Sequence, residues 1–290
     1  MPPRLVLALV SALWTGAPHL RAHGDDQMLI EALTGELAKA PDPDLYIRRG
    51  ELYRHQEEWV KAEADFIAAG KLEPTLTIVD FFRARTLLES GQPARARPLA
   101  ERYVSRTPDE PEGQFLLGDI FAALGEHDAS AAAYAEGIRR APRPRPEHYL
   151  RYARLLAGAP KADAARVLAA LDEGIARLGP VISLVDFAIT LEVDRKNYSG
   201  ALERIAALLP HAPRPESWLV RQADILVQCG RKEEAIGSYR AALAAIDNLP
   251  ERYRDTVPME ALARQARDAL GRLSAHRGTA ETSAAQPQPE

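Results

Sequence analysis

The chain of 290 residues has one cysteine, Cys229, so no disulfide can close within it and no zinc or iron–sulfur centre can be assembled from several thiolates. Lying between Leu226 and Gly230 near an expected helix end, the thiol reads as a small buried hydrophobe. Aromatic residues are scarce at 6%, and no run carries the alternation of a strand. Without strands, the usual architectural platforms for catalytic loops are missing, and so are the motifs themselves: HExxH, GxSxG, GxxxxGK and GxGxxG are all absent. No enzyme activity and no cofactor is therefore expected. An excess of one charge is lacking too. The 37 basic and 41 acidic side chains are interspersed and leave a net charge of −4, with no basic stripe to track a phosphate backbone, which argues against nucleic-acid binding. What remains is a composition rich in Ala, Leu, Arg and Glu, the mark of packed helices.

The chain also lacks an apolar run long enough to cross a bilayer. Its one pronounced run, Leu5–Trp14, has ten residues and follows Arg4, the size and charge pattern of an export signal. Pro2, Pro3, Gly16 and Pro18 bracket it with helix breakers. A leader of 1–24 is expected, cut after Ala22 or Gly24, with no lipid-anchoring cysteine behind it. Its removal takes Arg4 and Arg21 and no acid, leaving 35 basic against 41 acidic groups, a charge of −6. The expectation is an exported protein, periplasmic or secreted, with no membrane span in its mature form.

Self-similarity organises the remainder. In Leu45–Pro74, Tyr46, Gly50 and Tyr53 share one face of a first helix, and Ala62, Phe66 and Ala69 share one face of a second, with Pro74 closing the unit. Pro74, Pro108 and Pro142 follow at intervals of 34. The second unit carries Ala84, Leu87, Gly91, Ala96, Ala100 and Tyr103; the third carries Leu117, Gly118, Phe121, Gly125, Tyr134 and Gly137, with Ser130 in the place of Ala62. A sixth has Trp218, Leu219, Ala223, Leu226, Gly230, Ala235, Tyr239 and Ala242. The fourth has a second helix about one residue too long, and the fifth, with Ile189 at the small-residue place, ends early and leaves its register open by one residue. Small residues where two helices approach, aromatics beside them and a 34-residue period resemble the tetratricopeptide repeat.

The resemblance covers roughly residues 43–249 in about six hairpins, near 43–76, 77–110, 111–145, 146–181, 182–215 and 216–249, and implies an all-α, right-handed α-solenoid with an inner groove. An N-terminal capping helix over 25–42, started by Asp25 or Asp26 and packed through Met28, Leu29, Leu33 and Leu37, is expected in front. A second cap over 250–276, packed through Leu262, Ala266, Ala269, Leu270 and Leu273, is expected behind, followed by a disordered tail at 277–290.

A solenoid of this kind is expected to be a non-catalytic scaffold that binds a protein or peptide segment. The stripe one residue beyond the packing face is rotated by about 100°, and is expected to line the groove: Ile47, Glu51 and Arg54, then Phe81, Arg85 and Leu88, Phe115, Asp119 and Ala122, and Leu150, Arg154 and Ala157. Apolar anchors among charges suit a peptide. The arginines at 54, 85 and 154 suit a partner with acidic residues or a free C-terminus, because a guanidinium binds a carboxylate through two parallel hydrogen bonds. Two other readings stand beside this one. A mature terminus at His23 would pair its amine with the imidazole and chelate copper(II), an option that a terminus at Asp25 removes; alternatively, the chain assembles envelope components by oligomerisation. Asn197-Tyr198-Ser199 has the form of a glycosylation acceptor, accidental in a chain of bacterial character.

Overall fold

A computed structural model describes residues 22–160 and 162–284, with side chains described from 25 to 274. Residues 1–21 of the expected leader and the side chain of His23 lie outside the described residues. Among those residues there are fifteen α-helices, one short 3-10 turn and no strand. The chain divides into two compact units at the Pro142–Arg143 junction.

In the first unit a helix α1 (Ala22–Lys39) precedes three hairpins, α2/α3 (Pro43–His55, Trp59–Leu72), α4/α5 (Ile78–Glu89, Pro93–Arg106) and α6/α7 (Pro111–Ala123, His127–Arg140). Proline starts and stops these helices. Pro43, Pro93 and Pro111 stand in their first turns, where a missing N–H costs nothing. Pro74, Pro108 and Pro142 follow the second helices by two residues each and stop them. Asp42 caps α2, its carboxylate accepting from the N–H groups of Asp44 and Leu45 at 2.9 and 3.0 Å.

The close approach of the paired helices is visible at the glycines. A methyl group built on Gly50 would lie 2.6 Å from the Phe66 ring, and one on Gly118 only 2.3 Å from the Tyr134 ring. Phe66 stacks on Phe82 of the next hairpin at 5.4 Å between centroids, and Phe81 meets Tyr103 at 5.2 Å. Ser130 is fully buried, and its hydroxyl donates to the Gly118 carbonyl at 2.6 Å. That bond is why serine is accepted where the first hairpin has Ala62. The first helices of neighbouring hairpins also touch, α2 with α4 and α4 with α6.

The second unit contains hairpins α8/α9 (Pro146–Ala157, Ala164–Leu178), α10/α11 (Ile182–Asp194, Tyr198–Leu208) and α12/α13 (Glu216–Gln228, Lys232–Asp247), then a short α14 (Glu251–Arg254) and the long α15 (Val257–Ala284). Helix α9 has 15 residues where α3, α5 and α7 have 14, and α11 has 11. Ile189 and Ile205 are both fully buried in the unit's core. Bulk is thus shared between facing residues instead of being set against a glycine. Cys229 caps α12, half-buried, its Sγ 3.4 Å from the Leu226 carbonyl. Burial and the neighbouring Arg145 hold His148 down at about 4, a neutral imidazole. Asn197 is used by the fold: its amide donates to Glu192 at 2.9 Å and its side-chain oxygen accepts from the Gly200 N–H.

The capping helices depart from expectation in detail. Helix α1 begins at Ala22, so Asp25 lies in its first turn, where its charge complements the helix dipole, and not at its cap. Its packed face is Ile30, Leu33 and Leu37, whereas Met28 and Leu29 are 63% and 49% exposed. Ile30 starts the seven-residue stripe through Leu37; Met28 and Leu29 are rotated off it. At the other end Ala263, Ala266 and Ala269 are buried, with Leu262, Leu270 and Leu273 packed beside them. Helix α15 continues past 276 to Ala284, which differs from the expected tail. No proline stands between Pro258 and Pro287 to stop it. Each cap is tied by a polar bond to its neighbouring hairpin, Arg49 to Thr34 at 2.9 Å and Gln265 to Asp224 at 3.1 Å.

The turns inside the hairpins set the register. One residue in each of five turns adopts positive φ: Glu57 (59°), Gly91 (77°), Gly125 (77°), Lys196 (60°) and Gly230 (80°). The first three are 34 apart, as are the last two. Gly125 and Lys196 are 71 apart, three more than two periods. The fourth hairpin absorbs this excess; its Gly158 keeps an ordinary φ of −82°, and the register of the fifth is settled with Ile189 at the small-residue place. Glu57 and Lys196 carry a side chain in a conformation that costs about 1–2 kcal/mol outside glycine. Glu57→Gly and Lys196→Gly are therefore each expected to raise stability by about 1 kcal/mol, read as a shift in the urea midpoint of the affected unit.

Candidate protein-binding surfaces

The expected groove stripe is only partly open. Ile47, Phe81 and Phe115 are 6%, 7% and 8% exposed and belong to the packed interior of the first unit. Phe81 packs on Tyr103, and Phe115 on Tyr134 and Gly137, of their own second helices, so the step of about 100° leads these rings into the hairpin and not into solvent. Of the side chains that were to fill the interior, Phe66 and Tyr134 are buried, while Tyr53 and Phe121 are half-buried. Leu88 and Ala122 are half-buried in the first unit, as are Leu150 and Ala157 in the second, where Arg154 is exposed on α8.

Glu51, Arg54 and Arg85 are brought together, with Glu89 as a fourth member outside the expected set. Arg54 Nε donates to Glu51 at 2.8 Å and its NH1 to Glu89 at 2.6 Å. Arg85 Nε donates to Glu89 at 3.1 Å and approaches Glu51 at 4.0 Å. Glu51 and Arg54 are each 5% exposed, while Arg85 and Glu89 form the open rim. Burial works against the Arg54 charge, but the two carboxylates outweigh it and its pKa is raised. Burial, helped by the adjacent Arg54, lowers that of His55. Two of the three arginines that were to hold a ligand's carboxylate, Arg54 and Arg85, are thus already holding the chain's own. Asp119, also expected in the groove, accepts from the Tyr134 hydroxyl at 2.8 Å, and the same bond recurs in the second unit between Tyr239 and Asp224.

Two open grooves lie on the other side of the hairpins, between successive second helices, each floored by the first helix between them. In the second unit α11, α12 and α13 enclose about 570 Å³ over Leu202, Leu219 and Leu226, with Ala206, Gly237 and Ala241 along the walls. In the first, α3, α4 and α5 enclose about 320 Å³ lined by Ile67, Leu76 and Val79 and by the charges of Lys71, Asp80, Arg83, Arg102 and Arg106. The stripe search could not find these grooves, because it followed the first helices alone; a sequence signal exists in the cations at 71 and 106, both in last turns of second helices. No group of three or more His, Cys, Asp or Glu side chains could hold a metal among the described residues, and no described helix is long and apolar enough to cross a membrane.

Paired helices joined by tight turns and stacked on neighbours define an all-α helical-repeat scaffold of the solenoid class. The sequence pattern of the tetratricopeptide repeat matches residues 83–143 and 188–250, the segments on either side of the aberrant fourth hairpin. The fold is similar to that of the C-terminal part of a TPR repeat-containing protein from Cytophaga hutchinsonii, at 15% identity, a TM-score of 0.61 and coverage of 78% of this chain and 95% of the other. It is also similar to a tetratricopeptide repeat protein from Parabacteroides merdae, at 15% identity and a TM-score of 0.50, over 84% and 93% of the two chains. No curated protein matches the chain. Tetratricopeptide repeats are thus present at residues 83–143 and 188–250.

Removing one member of a buried ion pair strands the other, a loss of about 3–5 kcal/mol, whereas replacing both by apolar groups of similar size is near neutral. Arg54→Met is expected to cost about 3 kcal/mol in the first unit, and the double change Glu51→Leu/Arg54→Met to return to within about 1 kcal/mol of the parent. Urea unfolding of the three chains measures both.

Proposed function

We propose that this protein is an exported, non-catalytic scaffold of the cell envelope, periplasmic or secreted, that holds a peptide or protein segment on the first-helix face of its hairpins. Repeat scaffolds of this class work as protein-interaction modules, which supports the coarse reading. The finer one rests on the network of Glu51, Arg54, Arg85 and Glu89. Two successive hairpins each contribute an acid and a base, and the outer pair, Arg85 and Glu89, is 27% and 32% exposed. A buried pair fixes an exposed pair of opposite charges, and fixed side chains lose little freedom when a partner arrives. Because the rim carries both signs, it favours a segment that presents both signs in turn over one that is uniformly acidic. Export rests on the first 24 residues of the sequence alone.

The test is a peptide library presented to the immobilised full-length chain, followed by titration of the tightest binder. Saturable one-to-one binding that weakens about tenfold in Arg85→Ala/Glu89→Ala is the expected result. Absence of saturable binding, together with a stable oligomer in light scattering, would favour assembly by self-association instead.

A further inference from the structure

We infer that the groove between α3 and α5 in the first unit is a docking site for an acidic segment of a partner protein. This rests on the scaffold reading and adds a second site with its own ligand chemistry.

Four cations line or rim the groove, Lys71, Arg83, Arg102 and Arg106, against two carboxylates, Asp80 and Glu63. The two signs sit at different depths. Asp80 and Glu63 side chains are 11% and 17% exposed, whereas those of Arg102 and Arg106 are 45% and 49% exposed, and Lys71 is exposed as well. The surface a ligand meets is therefore cationic.

The buried acids also aim the arginines. Asp80 accepts two hydrogen bonds from Arg102, at 2.7 and 2.6 Å, and stands 4.0 Å from Arg106; Glu63 holds Arg83 at 2.7 Å. A guanidinium held from beneath has its remaining N–H donors directed outward and little rotamer entropy left to lose on binding. Ile67, Leu76 and Val79 form apolar walls, which weaken the screening of charges in the cleft. Complementing the carbonyl ends of α3 and α5 accounts for Lys71 and Arg106. Asp80 and Glu63 account for Arg102 and Arg83, but neither they nor the helix ends account for a net excess of two positive charges in one concavity. A run of Asp or Glu side chains supplies the missing charge and matches the planar donors.

The experiment is fluorescence anisotropy with a labelled hexaglutamate peptide and the full chain. Saturable binding that falls as salt rises is expected. Lys71→Glu/Arg106→Glu is expected to weaken it at least about tenfold, and Arg48→Glu/Arg139→Glu, which changes net charge equally at exposed positions elsewhere in the unit, by less than about threefold. Equal losses in the two double variants, no loss in the first, no binding by the parent chain, or binding of a single-stranded oligonucleotide in place of the peptide would each overturn the groove. If Lys71→Glu/Arg106→Glu keeps its affinity for the library peptide while the parent ignores hexaglutamate, the groove fails and the scaffold reading stands.

Discussion

The structure depends on one repeated contact, an aromatic ring of a second helix pressed onto the backbone of the first helix where it carries no side chain. Gly50 under Phe66 and Gly118 under Tyr134 are its tightest forms. Fully burying a ring contributes on the order of 1.5–3 kcal/mol, and only the absence of a Cβ lets two helices close around it without voids or overlap. The second hairpin meets the same need with Ala84 facing Ala100, both fully buried. The fifth meets it with two isoleucines. Close burial across the pair is common to these hairpins, whereas the size and identity of the residues that achieve it vary.

Both classes of surface follow from that contact. Hairpins closed so tightly draw Phe81 and Phe115 onto their own second helices, so these expected anchors, with Ile47, are core and charged rims remain on that side. On the opposite side, successive second helices stand apart and leave grooves whose floor is the intervening first helix. The two grooves share this architecture and differ in chemistry, apolar over Leu202, Leu219 and Leu226 in one and cationic around Asp80 in the other. Packing residues repeat while surface residues diverge, as expected where selection for fold and for partner act on different faces.

The hairpins are legible in the sequence because their signals are local and periodic. Proline two residues beyond the second helix recurs at 74, 108, 142, 180 and 210, and glycine at positive φ marks three of the five regular turns. The fourth hairpin is hard to read because its extra residues fall in its turn, where no left-handed glycine marks the place. The candidate surface is less legible for a different reason. A stripe on one helix does not disclose what will cover it: Phe81 lies against Tyr103, and Phe115 against Tyr134 and Gly137, all on the second helix of the same hairpin. The network at Glu51 is half visible, since Glu51–Arg54 and Arg85–Glu89 have the spacing of helical ion pairs, but the link from Arg54 to Glu89 joins separate hairpins. The cationic groove requires residues from three helices and has no single-helix signature.

The close ring–glycine contact is tested most directly by making the same change at two helix-interior glycines with different surroundings. A methyl group on Gly118 meets the Tyr134 ring at 2.3 Å, and one on Gly35 of α1 meets nothing within 4 Å. Thermal or urea unfolding should show Gly118→Ala destabilised by about 1–3 kcal/mol through overpacking and Gly35→Ala stabilised by about 0.5–1 kcal/mol through helix propensity. Stabilisation of both would contradict the account.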